Sequence, residues 1–243
     1  NDESWFAKIY IEAVKKSTKS KKAEEEIKEI NRKLETREDK DLNLLWEKTR
    51  KMSLDSLEKI YKELNTRFDI YLFESEMEEK GKKISEQLLK EKIAKVSDGA
   101  VIVNLEKYNM GVWVLLRSDK TVLYSAKDLA LAEQKFHDYK INKSIYVVGA
   151  AQTLHMMQLF KTLELMKFPY AKNCIHIPFS EVRLPTGKMS SRTGDNVLYS
   201  DFLKEMMKHT EKEIKSREPK IKIKELKNRA LKISIAAMKY YML

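Results

Sequence analysis

Ile145-Tyr146-Val147-Val148-Gly149-Ala150-Ala151-Gln152 is the stretch on which the fold turns. Four consecutive apolar residues ending at a glycine read as a strand of the continuous kind found in parallel sheets. Residues 152–167 follow as a helix, and Pro169 closes it. Ile175-His176-Ile177 is a second short strand. Upstream, Val122-Leu123-Tyr124 reads as a strand, with Ser125 capping a helix that runs to about Tyr139. Strand, helix, strand, helix, strand predicts an α/β fold with a parallel, doubly wound sheet. Ligands of such sheets lie beyond the carboxyl ends of the strands. Tyr124, Asp128, Gln152 and Lys188 with its loop are expected at that edge, with Tyr124 and Asp128 one helical turn apart on one face.

Further out, Ala100-Val101-Ile102-Val103 and Val112-Trp113-Val114-Leu115-Leu116 form a hairpin joined through Asn109 and Gly111. The pattern changes near Ser97-Asp98-Gly99, and before it the chain reads as helical. Ser53 is placed to cap a helix with Asp55 in its first turn and Leu54, Leu57, Tyr61 and Leu64 on one face. Ile84, Leu88 and Ile93 mark a second amphipathic stretch, and Gly81 a break. Lys15 to Lys40 has few apolar anchors, so it is an exposed helix or a poorly ordered segment. From Ser200 the chain is helical again, interrupted by Pro219. Ala230 to Leu243 carries too many apolar positions for a free surface helix and reads as the opening of a further domain. The expected division is a helical region over 1–96, the sheet over 97–199, and helices over 200–243.

The chain has 243 residues, 42% of them hydrophobic, enough for a buried core. No apolar run reaches the length of a membrane span, and Asn1-Asp2-Glu3-Ser4 lacks the basic and apolar regions of a signal peptide. Cys174 is the only cysteine, which excludes an internal disulfide and a cysteine metal cluster. These features fit a soluble, cytoplasmic protein in a reducing compartment. The net charge is +11, yet residues 1–100 sum to zero. Residues 211–243 alone hold ten cations against four anions. So basic an end fits a polyanion partner such as a nucleic acid, and equally a solvated lysine-rich helix; charge alone does not separate the two.

The chemistry is densest at Leu184-Pro185-Thr186-Gly187-Lys188-Met189-Ser190-Ser191-Arg192-Thr193-Gly194. Pro185 keeps the approach extended, and Gly187 and Gly194 permit tight turning and close approach to a ligand. Lys188 and Arg192 can neutralise phosphate oxygens, while Ser190 and Ser191 can donate hydrogen bonds to them. A basic surface turn is the plain alternative for the Lys-Met-Ser-Ser core alone.

The longer string resembles the mobile ATP-binding loop of class I aminoacyl-tRNA synthetases, in the wording of arginyl-tRNA synthetases. Tyr124-Ser125-Ala126-Lys127-Asp128-Leu129-Ala130 is similar to that family's Tyr-x-x-x-Asp-Leu-Ala segment. The run from Tyr146 through Gly149, Gln152, His155 and Gln158 to Phe160 is similar to its Gln-x-x-His helix. Phe68-Asp69, Glu74-Ser75 and Ser97-Asp98-Gly99-Ala100 are further landmarks, so the likeness covers nearly the whole chain.

The resemblance implies the second half of a class I Rossmann-like sheet, with a helical insertion before it and the first helix of an anticodon-binding domain after it. It implies activation of arginine by ATP to arginyl-adenylate, then transfer to tRNA. Lys188, Ser190 and Ser191 would serve catalysis. Gly187, Lys188, Met189, Ser190, Ser191, Arg192 and His155 would bind ATP, and Tyr124, Asp128 and Gln152 the arginine. Mg²⁺ would arrive with ATP, since His137, His176 and His209 are not spaced as metal ligands. The residues alone leave other roles open: a helix-dipole acid for Asp128, packing and capping for Tyr124 and Gln152, and a core histidine for His155. Two departures stand out. Ser191 occupies the signature's second lysine position, and the family's His-x-Gly-His motif is absent from the chain. The motif is expected upstream of Asn1, which would make this a central fragment, silent by itself. A class I synthetase for another amino acid, and a non-catalytic RNA-binding relative, are the alternatives.

Overall fold

The computed structural model describes residues 3–180, 183–184, 187–188 and 197–242. In order these form α1 (Glu3–Ser17), α2 (Lys21–Thr36), α3 (Lys40–Glu63), α4 (Glu78–Lys90), β1 (Ala94–Ser97), β2 (Ala100–Asn104) and β3 (Val112–Leu116). Then come α5 (Tyr124–Tyr139), β4 (Ser144–Gly149), α6 (Thr153–Leu165), β5 (Cys174–Phe179), β6 (Arg183–Leu184), β7 (Gly187–Lys188), α7 (Tyr199–Arg217) and α8 (Ile223–Met242). Two compact units result, one built from 1–69 with 182–243, the other from 70–181. Compactness thus groups α4 and β1 with the strands that follow them, whereas the sequence-based division placed a boundary at 96/97.

In the first unit, α2 is the exposed alternative foreseen for its stretch. It has no buried residue and is laced by surface ion pairs such as Lys28–Glu24 at 2.7 Å. Helix α3 starts at Asp39, whose carboxylate accepts from the Leu42 amide at 3.0 Å. Ser53 is therefore not a cap but a mid-helix residue. No glycine or proline interrupts 40–63, and the Lys51–Asp55 pair at 2.8 Å spans the expected boundary on successive turns. Helices α7 and α8 pack through Ile214, Leu226 and Ala230. Pro219 lies in the link between them, and Thr210 Oγ1 and the buried Ser234 Oγ meet at 3.2 Å.

The second unit carries the main core, in which Leu88, Val103, Leu105, Leu115, Leu129, Leu159 and Leu163 are all fully buried. Strands β1, β2 and β3 form an antiparallel sheet. Its first turn is Asp98-Gly99, both with positive φ (48° and 77°), the backbone that a two-residue hairpin requires. The third strand of this sheet is thus β1, upstream of the hairpin. Val122-Leu123-Tyr124 is not a strand: Val122 makes one isolated bridge to Leu116, and Tyr124 is already the first residue of α5. Asp119 accepts from the Thr121 amide at 2.9 Å and closes a tight turn after β3, leaving two residues before the helix. Ser125 does not cap α5 either; it is buried, and its hydroxyl donates to the Val114 carbonyl, tying α5 to β3.

The parallel order foreseen for the chain holds for β4 and β5, joined by α6 and paired in register from Ser144↔Cys174 to Gly149↔Phe179. One face of this ribbon packs inward through Tyr146 and Val148. The other presents Ile145, Val147, Ile175, Ile177 and Phe179 to solvent.

Gly81 is inside α4 rather than at a break. A Cβ there would lie 3.0 Å from the backbone carbonyl of Ala126, so the missing side chain is what lets α4 and α5 touch. Gly81→Val is expected to lower stability by about 1–3 kcal/mol through overpacking. Urea denaturation followed by circular dichroism checks it, and an unchanged midpoint would refute the close approach.

Candidate active site

Three elements of the second unit deliver side chains to one place. The β3 alternation buries Trp113 between exposed Val112 and half-buried Val114. The start of α5 presents Tyr124 and, one turn on, Asp128. Chain leaving β4 makes a 3-10 turn, Ala150–Gln152, and enters α6, whose first turn carries His155. All three meet at the imidazole. His155 Nε2 lies 2.7 Å from Asp128 Oδ2, and Trp113 Nε1 donates to His155 Nδ1 at 3.2 Å. The Tyr124 ring sits 4.6 Å from the imidazole, centroid to centroid. His155 is buried, while the Asp128 side chain keeps 30% of its surface exposed. Among the described residues no lysine or arginine forms an ion pair with Asp128.

One turn beyond His155, the buried Gln158 donates from Nε2 to the Met110 carbonyl at 2.7 Å. This fixes the height of α6 against the β2–β3 loop. Gln152 ends the 3-10 turn, is exposed, and makes no capping hydrogen bond with its side chain. The opposite end of the parallel ribbon holds a different cluster. Lys135 Nζ donates to Ser144 Oγ at 2.9 Å and lies 3.8 Å over the Tyr146 ring. Burial holds the Lys135 ammonium below its usual range and pushes the Cys174 thiol up, so Cys174 is not set up as a nucleophile.

The structure thus brings together Tyr124, Asp128 and His155 and leaves Gln152 exposed at the start of the same helix as His155. Gly187 and Lys188 form β7, paired with Arg183 and Leu184 of β6, and belong to the other unit. Met189, Ser190, Ser191 and Arg192 lie outside the described residues. Among the described residues no group of three or more His, Cys, Asp or Glu side chains could hold a metal ion, and no helix is long and apolar enough to cross a membrane. Trp113 is the participant that sequence reasoning missed. Its position in a β-rich apolar run signalled core, and nothing local marks its one donor as aimed at a side chain 42 residues away.

A family model described as "tRNA synthetases class I (R), catalytic domain" matches residues 4–243. The chain belongs to that family. Among curated relatives of this class I synthetase chain, the arginine–tRNA ligase of Clostridium acetobutylicum is 35% identical over 233 residues, 96% of this chain and 41% of that protein. The arginine–tRNA ligase of Clostridium perfringens is 38% identical over 231 residues, 95% of this chain and 40% of that protein. The synthetase chain therefore spans about two-fifths of the length of these relatives. Its fold is similar to the crystal structure of arginyl-tRNA synthetase from Plasmodium falciparum (TM-score 0.71, 20% identity, 91% of this chain and 37% of that one). It is equally similar to Thermus thermophilus arginyl-tRNA synthetase (TM-score 0.71, 20% identity, 92% and 42%).

Gln158→Ala removes a buried donor from the carbonyl of half-buried Met110 and is expected to cost about 1 kcal/mol of stability. Chemical denaturation measures it, and parental stability in the variant would show that α6 is not held there.

Proposed function

We propose that the chain is part of the catalytic machinery of an arginine–tRNA ligase and supplies its amino-acid pocket. The observation that carries this reading is Asp128: a part-exposed carboxylate one turn into α5 from Tyr124, with no lysine or arginine partner among the described residues and with the Tyr124 ring against its partner His155. A guanidinium is planar, permanently charged and forked, and a carboxylate meets it with two parallel hydrogen bonds. Tyr124 supplies a ring face for that plane, and the exposed Gln152 amide completes the set. A side-chain pocket for an apolar or thiol-bearing amino acid would not call for a carboxylate there, which favours arginine over a synthetase for such a substrate.

In the reaction proposed, the arginine carboxylate attacks the α-phosphate of ATP, giving arginyl-adenylate and pyrophosphate; the aminoacyl group then passes to tRNA. Positioning and charge stabilisation supply the rate. Gly187, Lys188, Met189, Ser190, Ser191 and Arg192 receive the nucleotide, with Lys188, Ser190 and Ser191 meeting charge on the phosphates. Mg²⁺ enters as part of the ATP substrate. His155, with both ring nitrogens engaged and its side chain buried, is read as a support of Asp128 rather than an ATP contact. The basic helices α7 and α8 are the surface offered to tRNA.

In the full-length protein, Lys188→Ala is expected to lower the rate of pyrophosphate exchange by about 10²–10³, the scale for losing one charge-stabilising donor. An unchanged rate would remove Lys188 from the reaction. Asp128→Asn is expected to weaken L-arginine binding at least several-fold, by leaving the bound cation without its partner. Calorimetry decides it, and equal affinity in variant and parent would end the arginine reading.

A further inference from the structure

We infer that Trp113 and His155 are positioning residues, which hold Asp128 as an oriented, fully charged acceptor for the substrate's cation. The inference rests on the arginine reading above. It follows from counting protons. An indole N–H donates and cannot accept, so the 3.2 Å contact fixes His155 Nδ1 as the acceptor. A ring nitrogen that accepts carries no proton. The single imidazole proton is therefore on Nε2, which donates it to Asp128 Oδ2 at 2.7 Å. A doubly protonated ring would set Nδ1–H against the indole N–H, two donors head to head with no acceptor between them. The proton is thus directed to Nε2 by a group that itself can only donate.

Two consequences bear on the pocket. First, the contact between His155 and Asp128 is a hydrogen bond, not an ion pair, so the carboxylate's charge is not cancelled before the substrate arrives. Second, one lone pair of Oδ2 is pinned, which restrains rotation of the carboxylate and leaves Oδ1 and the other lone pair of Oδ2 for the two parallel donors of a guanidinium. Burial of Trp113 and His155, and the Tyr124 ring lying against the imidazole, keep the relay from turning away. Trp113 never touches the substrate in this scheme; it acts through His155, and His155 through Asp128.

The test uses the full-length protein and two ligands, L-arginine and ATP, each titrated by calorimetry, with circular dichroism to confirm folding. His155→Leu removes the donor to Asp128 and is expected to weaken arginine binding by about tenfold, the scale of a hydrogen bond to a charged group, with ATP affinity unchanged. His155→Gln keeps an amide donor and is expected to restore most of that loss. Trp113→Phe keeps the ring and loses the N–H, and is expected to weaken arginine binding several-fold. Nitrogen NMR of the parent imidazole is expected to show a protonated Nε2 and a bare Nδ1, and Trp113→Phe to mix the two tautomers. A parent ring protonated on Nδ1 overturns the relay. Arginine affinity unaffected in His155→Leu, alongside a loss in Asp128→Asn, also overturns it while leaving the arginine reading intact. Parental arginine affinity in Asp128→Asn defeats that reading and the relay with it. Should Trp113→Phe fail to fold, the two His155 variants and the parent spectrum still decide.

Discussion

The antiparallel and parallel strands of the second unit share no ladder hydrogen bond, so side chains must hold them in one body. Beside the shared apolar core, buried hydrogen bonds tie the neighbouring helices to the antiparallel sheet. Ser125 ties α5 to β3, Trp113 reaches His155 at the start of α6, and Gln158 ties the next turn of α6 to the β2–β3 loop. Each uses a buried polar group that would be costly to leave unpaired. Tyr124, Asp128 and His155 lie on the same two helix starts. Whatever keeps α5 and α6 seated on the hairpin therefore also sets the distance between Tyr124, Asp128 and His155. Gly81 serves the same end from behind, by letting α4 press on the backbone of α5.

Much of this was legible before any coordinates. The β4–α6–β5 unit follows from continuous apolar runs and the proline after the helix, and the β2–β3 hairpin from β-branched residues around Asn109 and Gly111. Strand β1 was missed because Ala94-Lys95-Val96-Ser97 is only half apolar, although Asp98-Gly99 is a strong hairpin turn signal. Val122-Leu123-Tyr124 looked like a strand because its composition is one; its place immediately after a closed turn makes it a helix entry. Ser53 and Ser125 both have the sequence context of caps, yet a serine's role depends on which carbonyl or amide is in reach, and that is set by packing. Of the site, Tyr124 and Asp128 were visible through their spacing. The bond from Asp128 to His155, and the indole behind it, join segments far apart in sequence and leave no local periodicity to read.

The electrostatic layout separates two ends of one ribbon. At the amino ends of β4 and β5, burial discourages charge on Lys135 and Cys174, and the cluster is a packing feature. At the α5 and α6 starts the Asp128 carboxylate is part-exposed and hydrogen-bonded to the buried His155. Low dielectric surroundings make the first arrangement quiet and the second strong.

The outer face of that ribbon has a consequence for handling the polypeptide. Ile145 with Ile175, and Val147 with Ile177, form adjacent cross-strand pairs on an uncovered surface. Two molecules that meet there can stack like sheets of a fibril nucleus. The net charge of +11 opposes such encounters at low ionic strength, and added electrolyte removes the opposition within a nanometre. Self-association through this stripe is thus opposed by long-range repulsion, and it is expected to rise with the salt content of the buffer.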